Sequence, residues 1–143
     1  MKVFDANILL YALYQDAFPE YEKAHHWLEQ FIKSQEHFAI PAVVEMTVAR
    51  IATNPKIFKK PLGFRKIGDY FSQFKKALGY ITMMETAELW ELYYKHNKDH
   101  ASSPSDVVDS YLAVIAIKSG SELVSNYDGF KRFKNLKYLN PLL

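Results

Sequence analysis

Four carboxylates stand where an α/β chain could bring them together. Asp5 closes the short apolar run Val3-Phe4, Glu45 lies just past Phe38-Ala39-Ile40, and Asp128 lies just past Leu123-Val124-Ser125. Asp109 sits on the helical pattern leading into that last run, about one turn from its start. Three of the four thus share the carboxyl end of a strand, the edge at which open parallel sheets bind ligands near the switch in strand order. Carboxylates gathered there repel one another unless a cation or a shared proton compensates. Hard oxygen donors without a His or Cys partner suit Mg²⁺ or Mn²⁺. Such an ion activates water and stabilises charge on a phosphodiester undergoing in-line attack.

Each acid also has a plainer role open to it. Asp5 could cap the helix that follows, and Glu45 in a first helical turn is favoured by the helix dipole. Asp128 beside Gly129 could be a turn residue. Ser103-Pro104-Ser105-Asp106 forms a capping box with proline at the first helical position, the preferred reading of Asp106. Asp106 is nevertheless three residues before Asp109, on the same helix face, and is a possible additional acid. The histidines are assigned no chemistry: His25 and His26 fall on an amphipathic helix, while His96 and His100 flank a polar loop.

The elements that must position these acids alternate along the chain. Strands are expected at Val3-Phe4, Phe38 to Ile40, Tyr80 to Met83, Leu123 to Ser125 and Tyr138-Leu139. Helical patterns run from Asn7 to Tyr14, from about Pro19 to Lys33, from Pro41 through Ile51, along Phe64 to Phe74, from Glu85 to His96 and from Pro104 to Ser119. Pro19 suits a first helical turn, Thr53-Asn54-Pro55 a stop, and Gly120 a helix C-terminal cap. Strands alternating with helices predict βαβ units and a parallel sheet. No repeat, linker or low-complexity tract divides the sequence, so residues 1–143 read as a single domain.

Composition narrows the function classes. About half the residues are apolar and 24% are charged, the balance of a globular protein. The absence of cysteine excludes disulfides, zinc–thiolate sites and thiol nucleophiles. The apolar opening Met1 to Tyr14 is broken by Asp5 and Asn7 and lacks the features of a signal peptide. No run approaches the length that spans a bilayer, so a cytoplasmic location with no membrane partner is expected. The net charge of +2 hides a local excess: Lys56 to Lys76 holds seven basic residues against Asp69 alone. A basic stretch beside an acidic centre suits a polyanion held near a bound cation; solvation of a helix face by lysines is the other reading.

Several motifs coincide in order with a known family. Asp5-Ala6-Asn7-Ile8-Leu9-Leu10-Tyr11-Ala12 resembles the opening of PIN domains, particularly the VapC toxins of bacterial toxin–antitoxin pairs. The Ala-x-x-Trp-Leu-Glu core within Glu22 to Ile32 is similar to the next family helix. Arg50-Ile51-Ala52-Thr53-Asn54-Pro55 resembles Arg-Val-Ala-Thr-Asn-Pro, and Asp109-Ser110-Tyr111-Leu112-Ala113 resembles Asp-Ala-His-Leu-Ala. Leu123 to Asn126, Phe130 to Phe133 and Asn140-Pro141-Leu142 are similar to the closing strand and helix.

The resemblance implies a three-layer α/β/α fold around a central parallel sheet, metal-dependent RNA hydrolysis, a homodimer, and silencing by a VapB-like antitoxin. Asp5 and Asp109 fall on the first and third family acids. Thr47 stands where the family has its Glu, and Tyr127 where it has its last Asp; Glu45 and Asp128 are their neighbours. Two residues on a helix are about 200° apart, so Glu45 reaches the centre only if its helix starts near Thr47. The expectation is that Asp5, Asp109 and Asp128 hold Mg²⁺ or Mn²⁺, with Glu45 as a further catalytic acid. Lys59, Lys60, Arg65, Lys66, Lys131 and Arg132 would bind the RNA backbone. The alternative is a weakened or inactive module that binds RNA or an antitoxin without hydrolysis. A phosphorelay receiver is disfavoured: Asp5-Ala6-Asn7 lacks adjacent acids and Ser125-Asn126-Tyr127 lacks the lysine of that class.

Overall fold

A computed structural model describes residues 1–100 and 103–143. Strand β1 (Lys2–Phe4) pairs with β2 (Phe38–Ala39) on one side and β3 (Glu122–Val124) on the other, and β4 (Lys137–Leu139) adds beyond β3. All pairings are parallel, in the order β2-β1-β3-β4. The chain leaves β1 toward β2 and later returns to β1's other flank as β3. The switch in strand order therefore falls between β1 and β3, and Asp5 stands at its carboxyl edge. Tyr80 makes one isolated parallel bridge to Phe38 where a strand through Met83 was expected.

Helices cover the sheet in two groups. Helix α1 (Ala6–Leu13) packs on α2 (Tyr21–Ser34) and α3 (Ala42–Ala52), and α3 packs on α4 (Phe64–Lys75). On the other side α5 (Ala87–Asp99) packs on α6 (Asp106–Lys118), which lies against β1 and β3. The core between them contains Val3, Phe4, Ile8, Leu9, Phe38, Val48, Leu112, Leu123 and Val124, all essentially without solvent contact. Aromatic rings fill much of it: Phe4 stacks on Phe38 with centroids 5.1 Å apart and meets Phe31 edge-on. Burial of such rings contributes the bulk of the apolar stabilisation in a domain of this size.

Local chemistry sets the helix ends. Helix α2 starts at Tyr21 with Glu20 as its N-cap, so Pro19 belongs to the preceding turn and not to the first helical turn. Gly120 has φ +65° after α6; its N–H donates to Ile117 and that of Ser121 to Ala116, the paired bonds that close a helix with a left-handed residue. Helix α5 continues to Asp99, shortening the expected polar loop, of which residues 101 and 102 lie outside those described. Between β3 and β4, the closing helix that the resemblance implied around Phe130 to Phe133 is a 3₁₀ helix over Asp128–Arg132.

Candidate active site

Asp5 is fixed from three directions. It is the N-cap of α1, and its Oδ1 accepts the Ala6 N–H at 2.7 Å. Its Oδ2 accepts the Ser125 hydroxyl at 2.7 Å and lies 3.4 Å from the Asn7 amide nitrogen. The capping role and a site role are therefore compatible, because a carboxylate oxygen that accepts one hydrogen bond keeps a lone pair. Ser125 is fully buried and receives in turn the Asn7 side-chain amide and the Tyr127 N–H, both at 3.0 Å. Asn7 closes the network by accepting the Asn126 N–H at 3.1 Å. This scaffold joins the ends of β1 and β3, whose pairing places Asp5 and Ser125 side by side.

Burial pushes the Asp5 carboxyl above its ordinary pKa, although the Ser125 hydroxyl and the Ala6 N–H work in the opposite direction. Asp109, in the first turn of α6, is likewise raised, first by burial and then by the negative charge of Asp5; Arg132 opposes this and Asp106 adds to it. Asp109, half-buried, thus lies in the field of Asp5. Arg132 supplies the local positive charge: its Nη2 bonds Asp106 Oδ1 at 2.5 Å and lies 3.7 Å from Asp109 Oδ2. Its Nη1 donates to the Gly129 carbonyl at 2.6 Å, and its Cζ sits 4.5 Å from the Phe133 ring centroid.

Asp106 shows part of the capping role expected of it and is engaged by Arg132 as well. Its Oδ2 accepts the Ser103 N–H at 3.0 Å, half of the expected capping box, while Oδ1 is held by Arg132. The Ser103 hydroxyl meets Asp106 Oδ2 and Ser105, so the reciprocal bond to the helix backbone is not made. That Ser103 N–H, with Arg132, holds the Asp106 carboxyl below its ordinary pKa.

The other expected acids are placed elsewhere. Helix α3 begins at Ala42, so Glu45 and Thr47 are both helical and face directions about 200° apart. Glu45 is paired by both oxygens with Lys75 on α4, at 2.6 and 2.9 Å. The helix therefore starts well before Thr47, so the condition under which Glu45 would reach the centre is not met. Thr47 donates its hydroxyl to Val43 within its own helix. Asp128 is largely exposed, 3.3 Å from Lys131, and accepts the Tyr138 hydroxyl at 3.2 Å. Tyr138 is pushed up to about 12, by burial first, then by Asp128, with Asp5 contributing. Tyr138 therefore lies in the field of both acids, but Asp128 makes no direct bond to Asp5 or Asp109. Tyr127 turns its ring onto Phe130 and over Gly129, whose added Cβ would strike it.

Among the described residues, no three His, Asp or Glu side chains are arranged to hold a metal ion. The pair Asp5 and Asp109 nonetheless fits Mg²⁺ in its sparest form. That ion commonly takes one or two carboxylates and completes its sphere with waters and substrate phosphate. Two partly desolvated carboxylates, one of them raised by the charge of the other, are donors it would relieve.

Of the expected RNA contacts, Lys59 and Lys60 lie between α3 and α4, and Arg65 and Lys66 lie in the first turn of α4. All four are exposed and have no ion-pair partner among the described residues. Lys131 pairs with Asp128, and Arg132 with the acids above. Sequence reasoning assigned no role to Asn7 and Ser125. Both stand in the quoted motifs, yet only the pairing of strands 120 residues apart reveals that they orient Asp5.

Residues 2–136 match the model of the PIN domain. The chain is 24% identical over 142 residues to the VapC ribonuclease Mb2897 of Mycobacterium bovis, covering 99% of this chain and 96% of that one. It is 26% identical to the ribonuclease VapC31 of Mycobacterium tuberculosis over the whole of both chains. Among solved structures, VapBC2 from Rickettsia felis bound to a DNA fragment from its promoter aligns with TM-score 0.62 and 22% identity, covering 97% of each chain. FitAB bound to the IR36 DNA fragment aligns with TM-score 0.63 at 15% identity, covering 100% of this chain and 96% of that one.

Proposed function

The chain belongs to the PIN-domain family, and from that membership we propose that it is a ribonuclease toxin of the VapC kind, hydrolysing RNA phosphodiesters at Asp5 and Asp109. The observation that carries this reading is that Asp109 lies in the field of Asp5, which stands at the switch in strand order; both carboxyls are raised chiefly by burial, and Asp109 further by the charge of Asp5. Magnesium or manganese held there would supply an activated water and offset charge on the phosphodiester. The Ala6 N–H and the Ser125 hydroxyl hold Asp5 in one orientation, so little reorganisation is needed when the site is loaded. Arg132, beside Asp109, is placed to meet a phosphate oxygen. Lys131 and the exposed Lys59, Lys60, Arg65 and Lys66 would track the backbone without reading sequence.

The partners follow from the same relationship. The relatives named as VapC ribonucleases and the VapBC2 assembly support a VapB-like antitoxin as the silencing partner. A homodimer is part of the same proposal. No helix among the described residues is long and apolar enough to cross a membrane.

A second reading has its own support. Thr47 and Tyr127 stand at the two remaining family acid positions, and Glu45 and Asp128 are tied to Lys75 and Tyr138. A module with two carboxylates could bind RNA or an antitoxin while hydrolysing slowly or not at all. Incubating purified protein with single-stranded RNA in Mg²⁺ and then Mn²⁺, beside Asp5→Asn, separates the two. Cleavage that Asp5→Asn abolishes supports the enzyme; RNA binding without cleavage in either metal supports the module.

A further inference from the structure

A cavity of about 520 Å³ is lined in part by Asp106 and by Arg132, whose Nη2 lies 3.7 Å from Asp109 Oδ2. Its other walls include His96, Phe133, Lys134 and Asn135. Planar groups follow one another along it. The Arg132 guanidinium lies over Phe133, Phe133 meets His96 with centroids 5.4 Å apart, and His96 stacks on His100 at 4.4 Å with planes 14° from parallel. Burial and the nearby positive groups lower the His96 pKa, which leaves a neutral imidazole able to donate and accept at neutral pH. Lys134 is exposed and has no ion-pair partner among the described residues, whereas Asp106 is already bonded to Ser103 and Arg132. The cavity thus combines an uncommitted cation, planar rings and the Asn135 amide.

Building on the ribonuclease reading, we propose that this cavity takes one nucleotide of the RNA next to the bond at Asp5 and Asp109. Its base extends the stack that Phe133, His96 and His100 form, and its phosphate lies at Lys134 and Arg132. The volume falls in the range of sites for small organic ligands. Unpaired bases are held by stacking on aromatic and His side chains and on Arg planes. Phosphate attracts the lysine irrespective of sequence. Because Arg132 borders both the cavity and Asp109, a nucleotide held here fixes where the neighbouring phosphodiester meets the acids.

The test uses the Asp5→Asn protein, so that RNA is bound without being consumed, with two probes: adenosine 5′-monophosphate and a single-stranded oligouridylate. Imidazole NMR signals of His96 and His100 are expected to shift with the mononucleotide, while those of His25, His26 and His37 stay in place. His96→Ala and Lys134→Ala should each weaken oligouridylate binding about tenfold, and His96→Phe, which keeps a planar ring, should recover most of it. Thermal melts check that the variants fold. The inference is overturned if the mononucleotide leaves His96 and His100 unmoved, or if both alanine variants bind the oligonucleotide as the Asp5→Asn protein does. Either result leaves the ribonuclease reading standing, because that reading depends on cleavage by the unsubstituted chain.

Discussion

Nη2 of Arg132 lies 3.7 Å from Oδ2 of Asp109, so the acid centre is already met by a cation of the chain's own. The same nitrogen grips Asp106 more closely, and Phe133 backs the guanidinium. Arg132 comes from the end of the 3₁₀ helix after β3, and the acids from the first turn of α6. The guanidinium partly offsets the repulsion between Asp5 and Asp109 and would compete with an added ion for Asp109.

Arg132→Gln is therefore expected to bind Mn²⁺ roughly fivefold more tightly, equivalent to about 1 kcal/mol for a partly exposed ion pair. It should also cleave RNA more slowly, because a phosphate contact is lost. Electron paramagnetic resonance of free Mn²⁺ measures the first effect and gel assays the second. Unchanged or weaker Mn²⁺ binding would mean that Arg132 does not oppose the ion.

Glu45→Gln should leave cleavage within about twofold of the parent, since its carboxylate is engaged by Lys75 on another face. The stability cost is about 1 kcal/mol or less, as expected for exposed ion pairs. Asp128→Asn should behave similarly, because its bonds run to Lys131 and Tyr138. Initial-rate assays with denaturant melts check both substitutions, and a large loss of cleavage in Glu45→Gln would contradict this placement.

Placing acids at Thr47 and Tyr127, where the resemblance puts the other two family acids, should move the site in the other direction. Thr47→Glu, alone or with Tyr127→Asp, is expected to raise Mn²⁺ affinity at least about tenfold, the scale on which single groups around a metal tune its binding. Titration calorimetry at fixed pH reads the change. No gain from either substitution would place those positions outside the centre.

The raised carboxyls of Asp5 and Asp109 also predict a pH signature. A carboxyl with a higher pKa in the folded protein binds more protons folded than unfolded across the interval between the two values. Stability contributed by its protonated form is complete below the ordinary Asp range and is lost as pH rises through the folded pKa. In metal-free buffer, Asp5→Asn should therefore gain stability relative to the parent as pH climbs from about 4 into the neutral range. Thermal melts across that range check the sign; a relative loss with rising pH would show that Asp5 is stabilised in its ionised form.

Much of the scaffold was legible because burial on both faces makes parallel strands read as apolar runs, as at Val3-Phe4 and Leu123-Val124. Gly120 announced the end of α6 because few other residues adopt its φ without strain. Tyr80 had the composition of a strand but found a single bridge to Phe38, a partnership that tertiary placement decides. Pro19 fitted a first turn by type, yet Glu20 and Tyr21 begin the helix one step later. At the site, Asp5 and Asp109 were visible through their motifs. The hold of Ser125 and Asn7 on Asp5 depends on β1 pairing with β3, and the grip of Arg132 on the α6 acids depends on a short 3₁₀ turn. Neither leaves a periodic signal. The stack of His96 on His100 and Phe133 was hidden for the same reason, since one of its three rings comes from a distant segment.

Cleavage of single-stranded RNA by the purified chain, compared with Asp109→Asn and with excess chelator, tests the central claim most directly. Cleavage in Mg²⁺ or Mn²⁺ is expected to fall by at least about 10² in Asp109→Asn, the usual scale for a group acting directly on the reaction, and to stop when the chelator removes the ion. Cleavage that persists undiminished in Asp109→Asn, with or without chelator, would contradict it.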